Sequence, residues 1–249
     1  MNLIKKIICI GLLVLAGKNL VAQDEQLLTV GIQVKPIIAS KFLGAGPVSA
    51  RDRNFNVTIA PKVGYTFGMV LRRGFTKLLS LETGINYVKR NFQMTCVDDS
   101  LGTTDISDFG LVSYEIPVQG LVYVRLGKQI YMNNAFGISL NWYASDVASK
   151  GANNRITQYS FITRGWVKPA LIANVGFEFR TKKSGFFYLG GSLHRPFGNI
   201  TETIVDYDQD AWKYKVYLNL TGSYLTVDFR YFFHEQPIKK KTKTKTTEE

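Results

Sequence analysis

Cysteine and histidine are scarce in this sequence. Its 249 residues include Cys9, Cys96, His194 and His234 and no others of either kind. These numbers exclude a disulfide framework and a zinc cluster of cysteine and histidine ligands. Seven prolines, and glycines without a three-residue period, exclude a collagen-like chain. Apolar runs after residue 22 are all shorter than the roughly 20 residues that a membrane-spanning helix needs.

Aromatic residues and positive charge are abundant instead. Aromatics make up 13% of the chain, with 13 Tyr and 16 Phe, which favours β-structure. The formal net charge of +12 raises nucleic acid as a partner. Three of these charges lie in the first 22 residues and two in the last 16. Because no basic helix or arginine-rich arm lies between them, we expect no nucleic-acid partner.

The first 22 residues have the pattern of a secretory signal peptide. Two lysines precede an apolar run over residues 7–16, and Ala22 stands at the expected cleavage position. Cleavage there would remove Cys9 and leave Cys96 without a disulfide partner. A membrane anchor is the alternative reading, but the run is too short to span a bilayer.

Apolar and polar residues alternate with a period of two along eight later segments, as in β-strands with two different faces. Several segments exceed ten residues, as a tilted strand needs to cross a bilayer, whereas strands of five or six are usual in a soluble sandwich. The segments cover residues 28–38, 59–71, 79–87, 112–124, 130–142, 167–179, 187–193 and 225–233. Aromatic residues near their ends predict the girdles of a membrane barrel, formed by Trp142, Tyr143, Trp166, Phe179, Phe186, Tyr231 and Phe233.

The connections between these segments alternate between short and long. Transmembrane barrels show this alternation, with tight periplasmic turns and long external loops. The sequence therefore predicts an all-β fold, an eight-stranded antiparallel up-and-down transmembrane β-barrel over residues 23–233. The even strand number places both termini in the periplasm of a protein of the cell outer membrane. Residues 234–249, rich in lysine and threonine, are predicted to form a disordered periplasmic tail.

The segment Tyr114-Glu115-Ile116-Pro117-Val118 resembles the Tyr-Leu-Glu-Ile-Pro-Leu segment of the outer-membrane β-barrel domain family of the PorT type. A signal ending in Val-Ala-Gln and a terminal strand over residues 224–233 that closes in aromatics are similar to that family as well. The resemblance covers nearly the whole mature chain. It implies a small eight-stranded barrel in the outer membrane of a Gram-negative bacterium, and it raises an association with type IX secretion.

Ten charged residues lie on the polar faces of the predicted strands. The interior of an eight-stranded barrel is just wide enough to be filled by side chains. We therefore expect these charges to pair in a buried interior network, with a narrow ion path as the alternative. The ten are Lys35, Lys62, Glu82, Glu115, Arg125, Lys168, Glu178, Arg180, Asp228 and Arg230.

Three carboxylates have the spacing of a calcium loop. Asp206, Asp208 and Asp210 stand at i, i+2 and i+4. Ala211 and Tyr217 occupy the positions where such a loop needs a glycine and an acid. We therefore favour a solvated external loop over a metal site, and we expect no cofactor.

Ser192 and His194 share one face of a predicted strand, about 7 Å apart along the backbone, and are the candidate nucleophile and base of a hydrolase. Because such pairs are common by chance, we interpret the protein as non-enzymatic, with a structural role or a binding role for its external loops.

The expected partners are outer-membrane lipid and lipopolysaccharide, with other envelope or secretion proteins. An accessory component of a type IX secretion or envelope assembly complex and an outer-membrane lipid-modifying enzyme are the alternatives.

Overall fold

The computed structural model describes residues 28–38, 40–41, 44–76, 78–152, 155–163, 165–181, 184–209 and 212–233. The predicted signal peptide and C-terminal tail lie outside the described residues. No helix within the described ranges is long and apolar enough to cross a membrane. The strands are β1 (Leu28–Ile38), β2 (Val48–Asp52), β3 (Phe55–Gly74), β4 (Leu79–Asp98), β5 (Thr103–Arg125), β6 (Ile130–Tyr143), β7 (Val147–Lys150), β8 (Ile156–Ile162), β9 (Val167–Arg180), β10 (Phe186–Pro196), β11 (Thr201–Gln209), β12 (Trp212–Leu220) and β13 (Tyr224–Phe232).

Eight of these strands form a closed antiparallel ring in the order β1-β3-β4-β5-β6-β9-β10-β13, with β13 paired back to β1. On β1, for example, Val34 stands opposite Phe67 of β3 on one side and Phe229 of β13 on the other. The ring confirms the predicted eight-stranded up-and-down barrel. Closure removes free sheet edges, so every strand of the ring has two hydrogen-bonded neighbours.

An apolar belt surrounds the ring. Ile32, Ile116 and Phe177 face outward and are each about half exposed, while a polar neighbour of each in sequence faces inward: Gln33, Glu115 and Glu178. From Tyr114 to Val124, ten steps of about 3.3 Å on a strand tilted by about 40° cover roughly 25 Å, the height of a lipid-facing band. The ring is therefore a transmembrane barrel.

Outward aromatic side chains mark both edges of the belt. One edge carries Tyr65, Tyr87, Tyr114, Trp142 and Trp166, and the other carries Phe75, Phe179, Phe187, Tyr231 and Phe233. Neighbouring rings of the first group contact one another, as with Tyr87 and Tyr114 at 5.9 Å. Two residues predicted for the girdles face inward instead: Tyr143 is buried in an apolar core, and Phe186 packs against an interior cluster.

The chain continues beyond the Tyr87 edge of the belt as a structure that we call the cap. It consists of β2, β7, β8, β11 and β12 together with the adjoining ends of β3, β4 and β5. β7, β8, β11 and β12 form a second sheet in the order β12-β11-β8-β7. β7 of this sheet lies against β5, and β12 lies against β2. Long external loops were predicted on this side of the barrel. That prediction is wrong for most of the connections there, because the chain forms paired strands in those segments.

The cap and the belt have opposite polarity. Phe67 of β3 faces lipid in the belt, but Phe55, Val57 and Ile59 of the same strand face the interior of the cap. A register shift in the β3–β4 pair between Lys62 and Tyr65 exchanges the two faces of β3, as a β-bulge does. The interior of the belt is consequently mostly polar, with small apolar clusters, and the interior of the cap is mostly apolar.

Candidate functional site in the barrel interior

Seven charged side chains form one continuous chain of ion pairs inside the belt. Their signs alternate along the chain, and every carboxylate lies between two cations. In order, the members are Arg180, Glu178, Arg72, Glu82, Arg230, Asp228 and Lys35. They come from β1, β3, β4, β9 and β13, so the chain crosses the lumen and ties the walls of the ring together.

Glu82 occupies the centre of this ion-pair chain and is 1% exposed. Its Oε2 accepts hydrogen bonds from Nε and Nη2 of Arg72 at 3.0 and 2.8 Å. Its Oε1 accepts from Arg230 Nη1 and from Gln119 Nε2, both at 2.5 Å. A buried carboxylate is costly unless its lone pairs are satisfied, and here both oxygens have cationic donors.

The outer members extend the chain to both sides. Glu178 accepts from Arg72 at 2.5 Å and from Arg180 at 2.6 Å. On the other side, Asp228 Oδ2 lies 2.7 Å from Arg230 Nη2 and 3.5 Å from Lys35 Nζ. At this level of the barrel the charged side chains do not line an open pore, because they are bonded to one another across the lumen.

Six of the ten charges predicted for the interior belong to this chain. Glu115 and Lys168 also lie inside, but they contact other residues. Arg72 completes the chain and was left out of the predicted set, although it alternates with the outward residues Met69 and Leu71 of its strand. That alternation was the signal that could have identified it.

Lys62 and Arg125 do not lie inside, and their prediction as interior residues is wrong. The register shift in β3 turns Lys62 outward, where its ammonium lies 2.8 Å from Asp108. A hydrogen bond from Lys62 lowers the pKa of the Asp108 carboxyl. Arg125 is exposed at the end of β5, and its Nε donates to the carbonyl of Gly127 at 3.0 Å.

A second polar cluster surrounds His194, between the ion-pair chain and the cap. The imidazole stacks on the ring of Tyr224 with a centroid distance of 4.4 Å. Its Nε2 lies 3.2 Å from Ser139 Oγ and 3.2 Å from Glu115 Oε2. Glu115 also accepts hydrogen bonds from Asn86 and Tyr224.

The contacts of His194 do not match those of a hydrolytic triad. In a triad the nucleophile bonds one ring nitrogen and the acid orients the other, whereas Ser139 and Glu115 both contact Nε2. Nδ1 has no hydrogen-bond partner among the described residues. The predicted partner Ser192 instead donates to Asp228 at 2.5 Å. The structure therefore brings Ser192 and His194 to one face but engages them with different residues.

Arg90 closes the polar interior on the side of the cap. It is 3% exposed, and its Nη1 donates to the hydroxyl of Tyr143 at 2.5 Å. Its guanidinium lies over the rings of Tyr143 and Tyr224 at 5.5 and 4.9 Å, as in cation–π contacts. Arg90 was not predicted, because the alternation used to define its strand ended at Tyr87.

The cap interior above Arg90 contains a large core of apolar side chains, beside a buried, hydrogen-bonded polar group of Gln158, Ser160 and Thr203. Phe55 stacks on Tyr207 with ring centroids 4.7 Å apart, and Phe92 stacks on Phe109 at 5.4 Å. Cys96 is also buried in this core. Its burial, with a smaller contribution from Asp105, raises the pKa of the thiol to about 12.

Two of the three candidate calcium ligands, Asp206 and Asp208, lie on the outer surface of the cap. β11 and β12 place Asp206 opposite Lys215 and Asp208 opposite Lys213, and the ion-pair distances are 3.5 and 3.4 Å. Asp210 lies outside the described residues. Within the part of the chain that the structure describes, no group of carboxylate, histidine and cysteine side chains could hold a metal ion.

No protein-family model matches this sequence, and no curated protein matches it. The barrel is similar to the outer membrane protein OprG from Pseudomonas aeruginosa, with 11% identity and a TM-score of 0.49 over 84% of this chain and 96% of that one. It is also similar to the outer membrane protease OmpT from Escherichia coli, with 11% identity and a TM-score of 0.33 over 83% and 94%. Both likenesses concern the barrel fold.

Proposed function

We propose that the protein is a non-enzymatic integral barrel of the outer membrane that acts through the surface of its cap and not through its lumen. In this arrangement the cap lies outside the cell and both termini lie in the periplasm. The observation that carries the proposal is that side chains fill the lumen at successive levels from the belt to the cap. Such a barrel is a rigid anchor for the sheet above it.

Three layers contribute to this filling. The ion-pair chain crosses the belt, the cluster of Glu115 and His194 lies above it, and the apolar core of the cap lies beyond Arg90. A cavity between Lys35 and His194 measures about 20 Å³, which is room for about one water molecule. An ion crossing the barrel would have to separate bonded charges and then enter an apolar core, and both steps oppose conduction.

Conductance measurements test the closed lumen. We expect the purified full chain to give no current steps in a planar bilayer, whereas the double variant Arg72→Ser, Glu178→Ser should leak, since it removes a bridge across the lumen. Reproducible steps from the wild type would overturn the proposal in favour of the ion path. The double variant also shows that the assay detects an opened barrel of this size.

Isolation from membranes tests the surface role. The protein should fractionate with the outer membrane and migrate differently on gels before and after heating, as stable barrels do. We expect it to be recovered from a mild detergent extract without stoichiometric protein partners. Recovery in fixed stoichiometry with secretion components would contradict this and would assign the accessory role instead.

A further inference from the structure

A polar pocket of about 770 Å³ lies where the belt meets the cap. Its lining includes Val167 and Lys168 at the start of β9, and Pro196 at the end of β10. Val167 is in register with Trp142 of the aromatic girdle. Because girdle aromatics lie at headgroup level, the pocket stands at the height of lipid headgroups.

Two irregular connections create this pocket. β8 ends before Thr163 and β9 begins four residues later, while residues 197–200 separate β10 from β11. The two connections are tied together, because the hydroxyl of Thr163 donates to the carbonyl of Asn199 at 2.8 Å. The β9–β10 pair of the belt and the β8–β11 pair of the cap are not continuous here. The pocket is the space between these two pairs.

The lining of the pocket carries charge of both signs. Lys168 is 9% exposed, and its ammonium donates to Thr163 Oγ1 at 3.2 Å. Glu202 of β11 lines the same pocket, together with Asn199 and Asn219. A lysine ammonium binds phosphate as a point charge, and a carboxylate complements a primary amine. A phosphate alone would bring negative charge towards Glu202, and an amine alone would bring positive charge towards Lys168.

We propose that this pocket binds a phosphoethanolamine group, with the phosphate at Lys168 and the amine at Glu202. The volume falls within the roughly 300–1,000 Å³ that small-molecule sites occupy, and the amides of Asn199 and Asn219 can bond the remaining phosphate oxygens. Phe197 is exposed at the rim, where a ring can pack against the acyl chains of a lipid that carries this headgroup. The lipid-borne form of the ligand rests on the proposed outer-membrane position, but binding of the free group does not.

Titration with a soluble probe tests the site. The full chain in a maltoside detergent would be titrated with O-phosphoethanolamine, inorganic phosphate and ethanolamine by calorimetry. We expect O-phosphoethanolamine to bind at least about tenfold more tightly than either fragment. Glu202→Gln should abolish the preference over phosphate, and Lys168→Gln should abolish the preference over ethanolamine.

Matched controls separate the pocket from general surface charge. Asp208→Asn removes another exposed carboxylate of β11, and Lys62→Gln removes an exposed lysine of the cap, so both should bind like the wild type. Heat-dependent migration on gels verifies that each variant is folded. If Lys168→Gln does not fold, titration of Glu202→Gln still tests the proposal, because Glu202 is exposed. Equal binding by wild type and Glu202→Gln, or no preference over phosphate, overturns the proposal.

Native mass spectrometry from mixed bilayers distinguishes the two sources of the group. Preferential retention of phosphatidylethanolamine over phosphatidylglycerol, lost in Glu202→Gln, assigns a lipid headgroup. Soluble binding without lipid retention assigns a free solute and supports the site as well. A conducting barrel that keeps this selectivity would refute the closed lumen and leave the pocket assignment standing.

Discussion

Arg72 of β3 donates a hydrogen bond at 2.5 Å to Glu178 of β9, which is 106 residues further along the chain. The two strands lie four positions apart in a ring of eight, so the bond joins opposite walls of the barrel. Both side chains are almost fully buried. A filled lumen of this kind holds the ring from within, in addition to the hydrogen bonds between its strands.

Removal of the Glu178 charge should destabilise the barrel strongly. Glu178→Gln leaves Arg72 and Arg180 facing a neutral amide, and loss of one partner of a buried pair costs roughly 3–5 kcal/mol. Asp108→Asn is the matched control, because its pair with Lys62 is exposed and should contribute about 0–1 kcal/mol. Urea unfolding in lipid vesicles measures the free energy of unfolding of both variants. Equal losses in the two variants would contradict an ion-pair chain that excludes water.

A methyl group at Gly137 should disrupt the packing of the interior. Gly137 faces inward, and a Cβ there would meet the carbonyl of Val118 and lie 2.5 Å from Cα of Gln119. Overpacking of this kind costs about 1–3 kcal/mol. Gly120→Ala is the control, since its Cβ would have Phe136 O as nearest neighbour at 4.0 Å. Gly137→Ala should lower the free energy of unfolding in the same assay while Gly120→Ala does not.

The barrel was predictable from the sequence because its alternation has the period of a strand and its segments have membrane length. The cap was not, and β3 shows why. Apart from Ala60 and Val70, its apolar residues keep to odd positions from Phe55 to Leu71, so the sequence pattern does not change at the shift. The backbone shift between Lys62 and Tyr65 exchanges the faces, and no change in the alternation marks it. Lys62 was assigned to the interior for this reason.

β4 reaches the same inversion by another route. Its inward positions stay in phase but change from polar residues such as Glu82 and Asn86 to apolar ones such as Phe92 and Met94. Apolar and polar residues still alternate, but the apolar ones face outward in the belt and inward in the cap. The pairing of individual charges was equally hidden, since it depends on distances across the lumen. The position of Glu178 in the alternation assigns it to the interior, but it does not identify Arg72 as its partner.

Cys96 should react with alkylating reagents only when the cap unfolds. The thiolate is the reactive species, and a thiol pKa raised to about 12 lowers its fraction near pH 8 by about a thousandfold. The neutral thiol favours the folded state below the ordinary thiol pKa, and this contribution declines as the pH rises towards about 12. Iodoacetamide labelling, followed by peptide mass spectrometry, should be slow in detergent and fast in denaturant. Rapid labelling of folded protein would contradict the buried cap core.

Phe55→Ala offers a test of the same core that does not depend on pH. Phe55 is 1% exposed and stacks on Tyr207 and Tyr214. Truncation of a buried phenylalanine costs about 3–5 kcal/mol, so labelling of Cys96 should accelerate in the folded barrel. Tyr217→Ala is the control, because Tyr217 lies on the outer face of β12 and is 56% exposed. Similar labelling rates in the two variants would show that Phe55 does not hold the cap closed.

His194 should contribute to stability and not to lipid chemistry. Its Nε2 is shared by Ser139 and Glu115, and a proton on Nε2 that bonds the carboxylate leaves no lone pair there to accept the serine proton. His194→Gln should therefore leave the lipid composition of the outer membrane unchanged, as judged by mass spectrometry of lipids from cells expressing either form. The same variant should lose about 1–3 kcal/mol of unfolding free energy, because buried partners lose a hydrogen bond. A lipid product that disappears in His194→Gln and also in Ser139→Ala, while both barrels remain folded, would establish an enzyme in place of a filled scaffold.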